Sequence, residues 1–241
     1  MTQAVVVTGA AGGIGVALCQ RARNDGYLAI GIDQNPSVEA DLDIRCDLRD
    51  TDGLVSIGNN LARDYELKAL VHNAAVQPIP GAGETSLADW LDALRVNVIA
   101  VDALVSVTRE SLAVNDGSVV VIGSVHARAT TGGITAYATS KAALEGWVRS
   151  AALDLGPKIR VNAIAPGAID TAKLREGFAR WGEVSAEERR SILCERTALR
   201  RIGSPSDVSG AVSFLIGDDA RFVTGAVLVV DGGATVRLGS E

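Results

Sequence analysis

Short apolar runs of strand length alternate with stretches of helical period along the whole chain, and that rhythm limits the fold more than any other feature. The runs lie at residues 4–8, 28–32, 43–46, 69–72, 118–122, 160–164 and 226–230, seven in all. Between them, Leu54, Ile57 and Leu61, then Leu87, Trp90, Leu91, Leu94 and Val98, and later Val208, Val212 and Leu215 recur at the spacing of one helix face. Strands that alternate with helices read as right-handed crossovers in a parallel sheet covered on both faces. At 241 residues and 47% hydrophobic composition, the chain has enough apolar material for one large α/β core. The expected architecture is therefore a single domain over residues 1–241, a doubly wound parallel sheet of about seven strands with helices on both faces.

Several function classes drop out. A formal net charge of −6 and the lack of a Lys/Arg cluster argue against a nucleic-acid partner. No apolar run reaches the length of a membrane span, and no export signal is legible at the N-terminus, so a cytoplasmic protein is expected. Cys19, Cys46 and Cys194 form no CxxC pair, and with only His72 and His126 beside them no metal site is expected.

The first run enters a glycine-rich turn, Thr8-Gly9-Ala10-Ala11-Gly12-Gly13-Ile14-Gly15, followed by a helical stretch. Glycines at 9, 13 and 15 permit a tight turn and a close backbone approach to a pyrophosphate, which the helix N-terminus then attracts. The spacing is a variant of the Rossmann dinucleotide fingerprint. Eighteen residues beyond Gly15, Asp33 follows the second run. Its carboxylate can accept hydrogen bonds from the adenosine ribose and would repel a 2′-phosphate; no arginine follows it, so NAD is expected over NADP. The alternative is that Asp33 merely caps a loop.

The run Thr-Gly-Ala-Ala-Gly-Gly-Ile-Gly resembles the Thr-Gly-x-x-x-Gly-Ile-Gly signature of the compact short-chain dehydrogenase/reductase family, and the likeness extends from Ala4 to Gly233. It implies a Rossmann-type domain. It also implies that Asp47, with Leu48 beside it, holds the adenine, and that Asn73 steadies the central strand beside the cofactor. His72-Asn73-Ala74-Ala75 departs from the family's usual Asn-Asn-Ala-Gly at His72 and Ala75. Pro166-Gly167-Ala168-Ile169-Asp170-Thr171 resembles the segment that lines the nicotinamide, with Ile169 bonding through its backbone and Thr171 through its hydroxyl.

Tyr137 and Lys141 stand four residues apart, on one face of a helix. A phenol titrates near 10, and a nearby ammonium favours its ionised form. Tyr137 can then take or give the proton of an alcohol as hydride moves to or from the nicotinamide. Ser124, at the end of the fifth run, can bond the substrate oxygen. Alone, such a serine is more often a turn former and such a Tyr–Lys pair a solvated one; the resemblance assigns both to catalysis, and assigns Asn97 to a water relay behind Lys141. A buried amide satisfied by backbone is the other reading of Asn97.

The expected activity is thus NAD-dependent oxidoreduction of an alcohol or ketone. Gln77 and His126, beside the pocket, lean toward a sugar, polyol or hydroxy acid, while Phe178 and Trp181 could wall an apolar one. The charged stretch 170–201 is expected to be a substrate lid. A dinucleotide-binding regulator without turnover, or a sugar-nucleotide epimerase of the extended branch of the same fold, are the rivals. On the helix of Tyr137, the opposite face carries Thr139, Ala142, Ala143, Gly146, Ser150 and Leu153, and with the resemblance this suggests a homodimer or homotetramer.

Overall fold

The computed structural model describes residues 3–180 and 185–236. Its strands are β1 (Ala4–Thr8), β2 (Leu28–Asp33), β3 (Leu42–Arg45), β4 (Leu67–His72), β5 (Ser118–Ile122), β6 (Arg160–Pro166) and β7 (Val227–Val230). They form one sheet of seven in the order β3-β2-β1-β4-β5-β6-β7, every pairing parallel. The order reverses between β1 and β4, so a crevice opens there at the carboxyl ends of the strands, the usual ligand position in open α/β sheets. The expected single doubly wound sheet is present. Its strand limits differ from the apolar runs because ladder partners, not hydropathy, set them. β2 includes Asp33 because Arg45 lies opposite it, and β6 extends to Pro166 opposite Val230.

The helices are α1 (Gly13–Asn24), α2 (Thr51–Asp64), α3 (Leu87–Leu94), α4 (Ala100–Val114), α5 (Thr135–Leu155), α6 (Ala172–Arg180), α7 (Ala186–Arg196) and α8 (Pro205–Ile216). The pleat sorts β1 between two cores: Val6 faces Leu54, Leu104 and Leu144 of α2, α4 and α5, whereas Val5 and Val7 face Leu18 of α1 and Val212 and Leu215 of α8. Central strands β1 and β5 are buried at every residue, which is why they read as unbroken apolar runs.

Side chains cap α2, α3, α7 and α8. Asp50 accepts from Gly53 N at α2, Ser86 from Asp89 N at α3, and Ser204 with Asp207 closes a capping box at α8. Helix α1 differs. Its N-cap is Gly12, without a side-chain cap bond, and its first turn holds no acidic residue. That leaves the positive end of the α1 dipole open beside the crevice.

Candidate active site

The glycine turn is shaped for close backbone approach. Gly9 has φ +66°, and a Cβ there would stand 2.7 Å from the Ala74 Cα; at Gly15 a Cβ would collide with the Gly9 carbonyl. Asn73 Nδ2 donates to Gly9 O at 2.9 Å, and the Asn73 and Ala74 amides donate to Thr8 Oγ1, so the end of β4 holds the turn. Thr171 closes over it from the far side: a Cβ on Gly13 would lie 3.0 Å from its Cγ2. Its hydroxyl accepts from Leu174 N at the start of α6. The same approach from β6 puts Pro166 and Ile169 at the crevice, both buried.

An anionic dinucleotide fits this cradle, because an uncapped helix start and glycines with no room for side chains leave backbone N–H groups as the available donors. Asp33 is half-buried at the tip of β2, where one oxygen accepts from Ala11 N (3.1 Å) and the other from Asn35 N (2.9 Å). Arg45 stands across from it, donating to the Gln34 carbonyl and to Asp43. An arginine therefore does neighbour Asp33, brought by strand register rather than by sequence proximity. Asp47 accepts from the backbone and side chain of Arg49, and Leu48 is buried in the core behind it.

The reacting end lies on α5 and the loop after β5. Ser124 is buried, and its Oγ accepts the His126 amide at 3.2 Å. His126 meets the Tyr137 ring edge-on at 6.1 Å, and burial pushes its imidazole toward the neutral form. Lys141 is 2% exposed, and its Nζ donates to Ile122 O at 2.7 Å and stands 5.7 Å from the centre of the Tyr137 ring. Burial and the neighbouring Lys173 push the Lys141 ammonium down to about 7. The Tyr137 phenol is raised by burial and only partly drawn back by Ser124. This runs opposite to the direction expected from the Tyr–Lys spacing, because desolvation is the largest influence on the phenol and the Lys141 ammonium is aimed at the Ile122 carbonyl.

Asn97 occupies one π-helical turn, Arg95–Ile99, between α3 and α4. Its amide is fully buried, exchanging bonds with the Val76 backbone (2.8 and 3.0 Å) and donating to Ser140 Oγ at 2.8 Å. Side-chain satisfaction by protein groups, one of its two sequence readings, is what the geometry shows. Gln77 follows Val76 in the same half-buried loop, bordering the crevice without joining the cluster around Tyr137. Phe178 is half-buried on α6, and Trp181 lies outside the described residues.

Sequence reasoning missed Lys173. Its Nζ reaches 5.9 Å from the Tyr137 ring centre and 3.5 Å from Ala75 O, extending from α6. No motif marks it, since only the fold of α6 brings it there. Among the described residues no group of His, Cys, Asp and Glu could hold a metal, and no helix is long and apolar enough to cross a membrane. A cavity of about 450 Å³ lies beside Ile169, Arg201 and Asp231, away from Tyr137. The Tyr137 cluster is the stronger candidate, because the cavity's Arg201 is engaged with Asp207 and Tyr137 brings a phenol beside a buried ammonium.

A sheet of this order, with a glycine turn at its switch point and Ser124, Tyr137 and Lys141 gathered beyond the end of β5, is the frame of a dinucleotide-dependent oxidoreductase, and the comparisons with known proteins agree on that class. A family model described as enoyl-(acyl carrier protein) reductase matches residues 9–235. The dehydrogenase/reductase SDR family member 4 of Oryctolagus cuniculus is 33% identical, across 97% of this chain and 94% of its own. The ligand-free aldohexose dehydrogenase of Thermoplasma acidophilum superposes with a TM-score of 0.93 at 31% identity, covering 100% of this chain and 97% of the other. A Beutenbergia cavernae protein described as an NAD(P)-dependent gluconate 5-dehydrogenase, with bound NADP, superposes with a TM-score of 0.89 at 29% identity, covering 98% of each chain. The chain belongs to the short-chain dehydrogenase/reductase family. It is an oxidoreductase with a fold for NAD(P).

Proposed function

We propose that the chain interconverts a secondary alcohol and its ketone, with Tyr137 as proton donor and acceptor. The observation that carries this reading is the cluster around Tyr137, in which the buried Lys141 Nζ stands 5.7 Å from its ring centre and Ser124 draws its phenol toward the ionised form. In the oxidation direction the alcohol gives its hydroxyl proton to the Tyr137 oxygen, and in reduction the phenol returns it. Ser124 bonds the substrate oxygen while charge develops there. When bound, the nicotinamide accepts or supplies the hydride, and its positive oxidised form adds to Lys141 in favouring the phenolate. Gly9, Gly13, Ile14 and Gly15 hold the pyrophosphate, Asp33 the adenosine ribose, Asp47 and Leu48 the adenine, and Asn73, Pro166, Ile169 and Thr171 the nicotinamide end. Asn97 serves the relay by fixing its turn, whose backbone is the group left to hold a water.

NAD is the preferred cofactor in this reading, because Asp33 presents its charge where a 2′-phosphate would lie and Arg45 is already bonded to Asp43. The pocket mouth, with His126 neutral and Gln77 beside it, suits a hydroxylated substrate such as a sugar, polyol or hydroxy acid. A cytoplasmic setting fits three free thiols. A panel of polyols, aldoses, hydroxy acids and simple ketones, assayed by nicotinamide absorbance with NAD and NADP in parallel, tests all of this. The expected result is turnover of a hydroxylated member and higher kcat/KM with NAD. Faster reaction with NADP would remove Asp33 from its role, and no turnover despite tight dinucleotide binding would favour a silent regulator.

The chain is also proposed to be a homo-oligomer, most simply a tetramer. On α5, Thr139, Ala142, Ala143, Ser150 and Leu153 are exposed, Leu153 by 83%, so nothing described in the same chain covers that face. Gly146→Arg places a bulky charge there and is expected to yield smaller species by light scattering; an unchanged mass would defeat the assignment.

A further inference from the structure

His72 is fully buried at the end of β4. Its Nδ1 lies 2.9 Å from Thr8 Oγ1. That oxygen already accepts the amides of Asn73 (3.1 Å) and Ala74 (3.2 Å). A hydroxyl has two lone pairs and one proton, so with both pairs engaged Thr8 donates to Nδ1. Nδ1 is then the acceptor, and the neutral ring carries its proton on Nε2. Burial holds the imidazole down to about 3, which keeps it neutral over the working range.

Nε2 is buried and has no hydrogen-bond partner among the described residues. An unpaired buried donor asks for an acceptor. The backbone of Asn97 and Val96 favours the protonated ring without closing a hydrogen bond to it, and Nε2 is the nitrogen left to face that turn. Both residues belong to the π-helical turn. From there the chain of contacts runs through Asn97 Nδ2 to Ser140 Oγ, and Ser140 Oγ donates to the Tyr137 carbonyl at 2.7 Å.

We propose that His72, as its Nε2–H tautomer, is a positioning residue that ties the nucleotide-binding turn, through Thr8, to the turn of Asn97 and so to the helix presenting Tyr137 and Lys141. Its kinetic consequence rests on the alcohol–ketone reading above. Its tautomer does not.

The chain has two histidines, so ¹⁵N-histidine NMR of the whole protein resolves His72 from His126. The expected signature for His72 is a protonated Nε2 and an unprotonated Nδ1, unchanged from about pH 5 to pH 8; a proton on Nδ1, or titration in that range, overturns the proposal. Two variants then divide the tie. His72→Asn keeps a group at the Nδ1 position, facing Thr8, but does not reach the π-helical turn. His72→Gln reaches the turn and gives up the bond to Thr8. The expected pattern is a kcat lowered roughly 2- to 10-fold in His72→Asn with an unchanged KM for dinucleotide, the size of one buried hydrogen bond. In His72→Gln the KM rises instead and kcat recovers. Variants whose kcat and KM move together, in step with lost thermal stability, would reduce His72 to ordinary core packing. If the wild-type chain turns over no substrate, the alcohol–ketone reading falls, and the NMR signature alone decides the tie.

Discussion

The two walls of the crevice are built on opposite principles. On the α5 side, Ser124, Asn97, Ser140 and Lys141 are buried, and each is held by a hydrogen bond to another protein group. On the side of α6 and α7, α7 has no buried residue among those described, and the two helices are joined at their base by Asp170, which pairs with Arg175 (2.7 Å) and Arg190 (2.9 Å) through half-exposed side chains. A charge in the first wall is costly to hold and titrates far from its ordinary value. A charge in the second is screened by water and contributes little. The rigid wall is suited to setting reacting atoms, and the other to admitting ligands.

The largest expected effect belongs to the rigid wall. Tyr137→Phe removes one hydroxyl from a packed site, so dinucleotide affinity measured by fluorescence titration should stay within a few-fold of wild type. Turnover should fall roughly 10²- to 10⁴-fold, the usual size of lost acid–base catalysis. Near-normal turnover would show that the buried wall is scaffold and that the proton donor lies elsewhere.

Lys141 allows the same wall to be read without substrate. Its ammonium titrates near 7 in the folded chain and near 10.5 when unfolded, so between those values the unfolded state binds more protons. Stability therefore rises with pH across that window, by at most about 1.4 kcal/mol per pH unit for one proton. Urea unfolding of the cofactor-free chain at pH 7 and 8.5, below the raised thiol of Cys19, should show the rise in wild type and lose it in Lys141→Met. Parallel curves for the two proteins would mean that Lys141 stays charged and hydrated.

What could be read from the sequence follows the same division. The glycine turn and the Tyr137–Lys141 pair are legible because their chemistry depends on residue type at fixed local spacing. The seven strands are legible because burial on both faces makes them continuous apolar runs. Arg45 opposite Asp33 and Lys173 over Tyr137 are not, since strand register and a lid helix bring them across long stretches of chain. The turn of Asn97 is invisible for another reason: a π-helical turn has no residue pattern of its own, and here it is stabilised by partners at Val76 and Ser140. The direction of the Tyr137 shift also escapes, because it is decided by desolvation, which spacing does not report.

The smallest expected effect tests the exposed wall. Asp170 holds both lid helices, and Arg190 with Arg175 keeps its carboxyl below the usual range. Their side chains are 49% and 62% exposed, so each pair contributes about 1 kcal/mol or less. Asp170→Asn should leave the global unfolding midpoint almost unchanged while limited proteolysis within 170–201 speeds up by roughly fivefold or less, the factor that 1 kcal/mol of local opening allows. High salt should have the same effect on the wild type and little on the variant, because only the wild type has the pairs to screen. Dinucleotide with substrate should slow cleavage in both, since closure over the crevice buries the lid. First cuts elsewhere, or cleavage indifferent to Asp170, salt and ligand alike, would mean that 170–201 is fixed to the domain as firmly as α5 and that the two walls do not differ in kind.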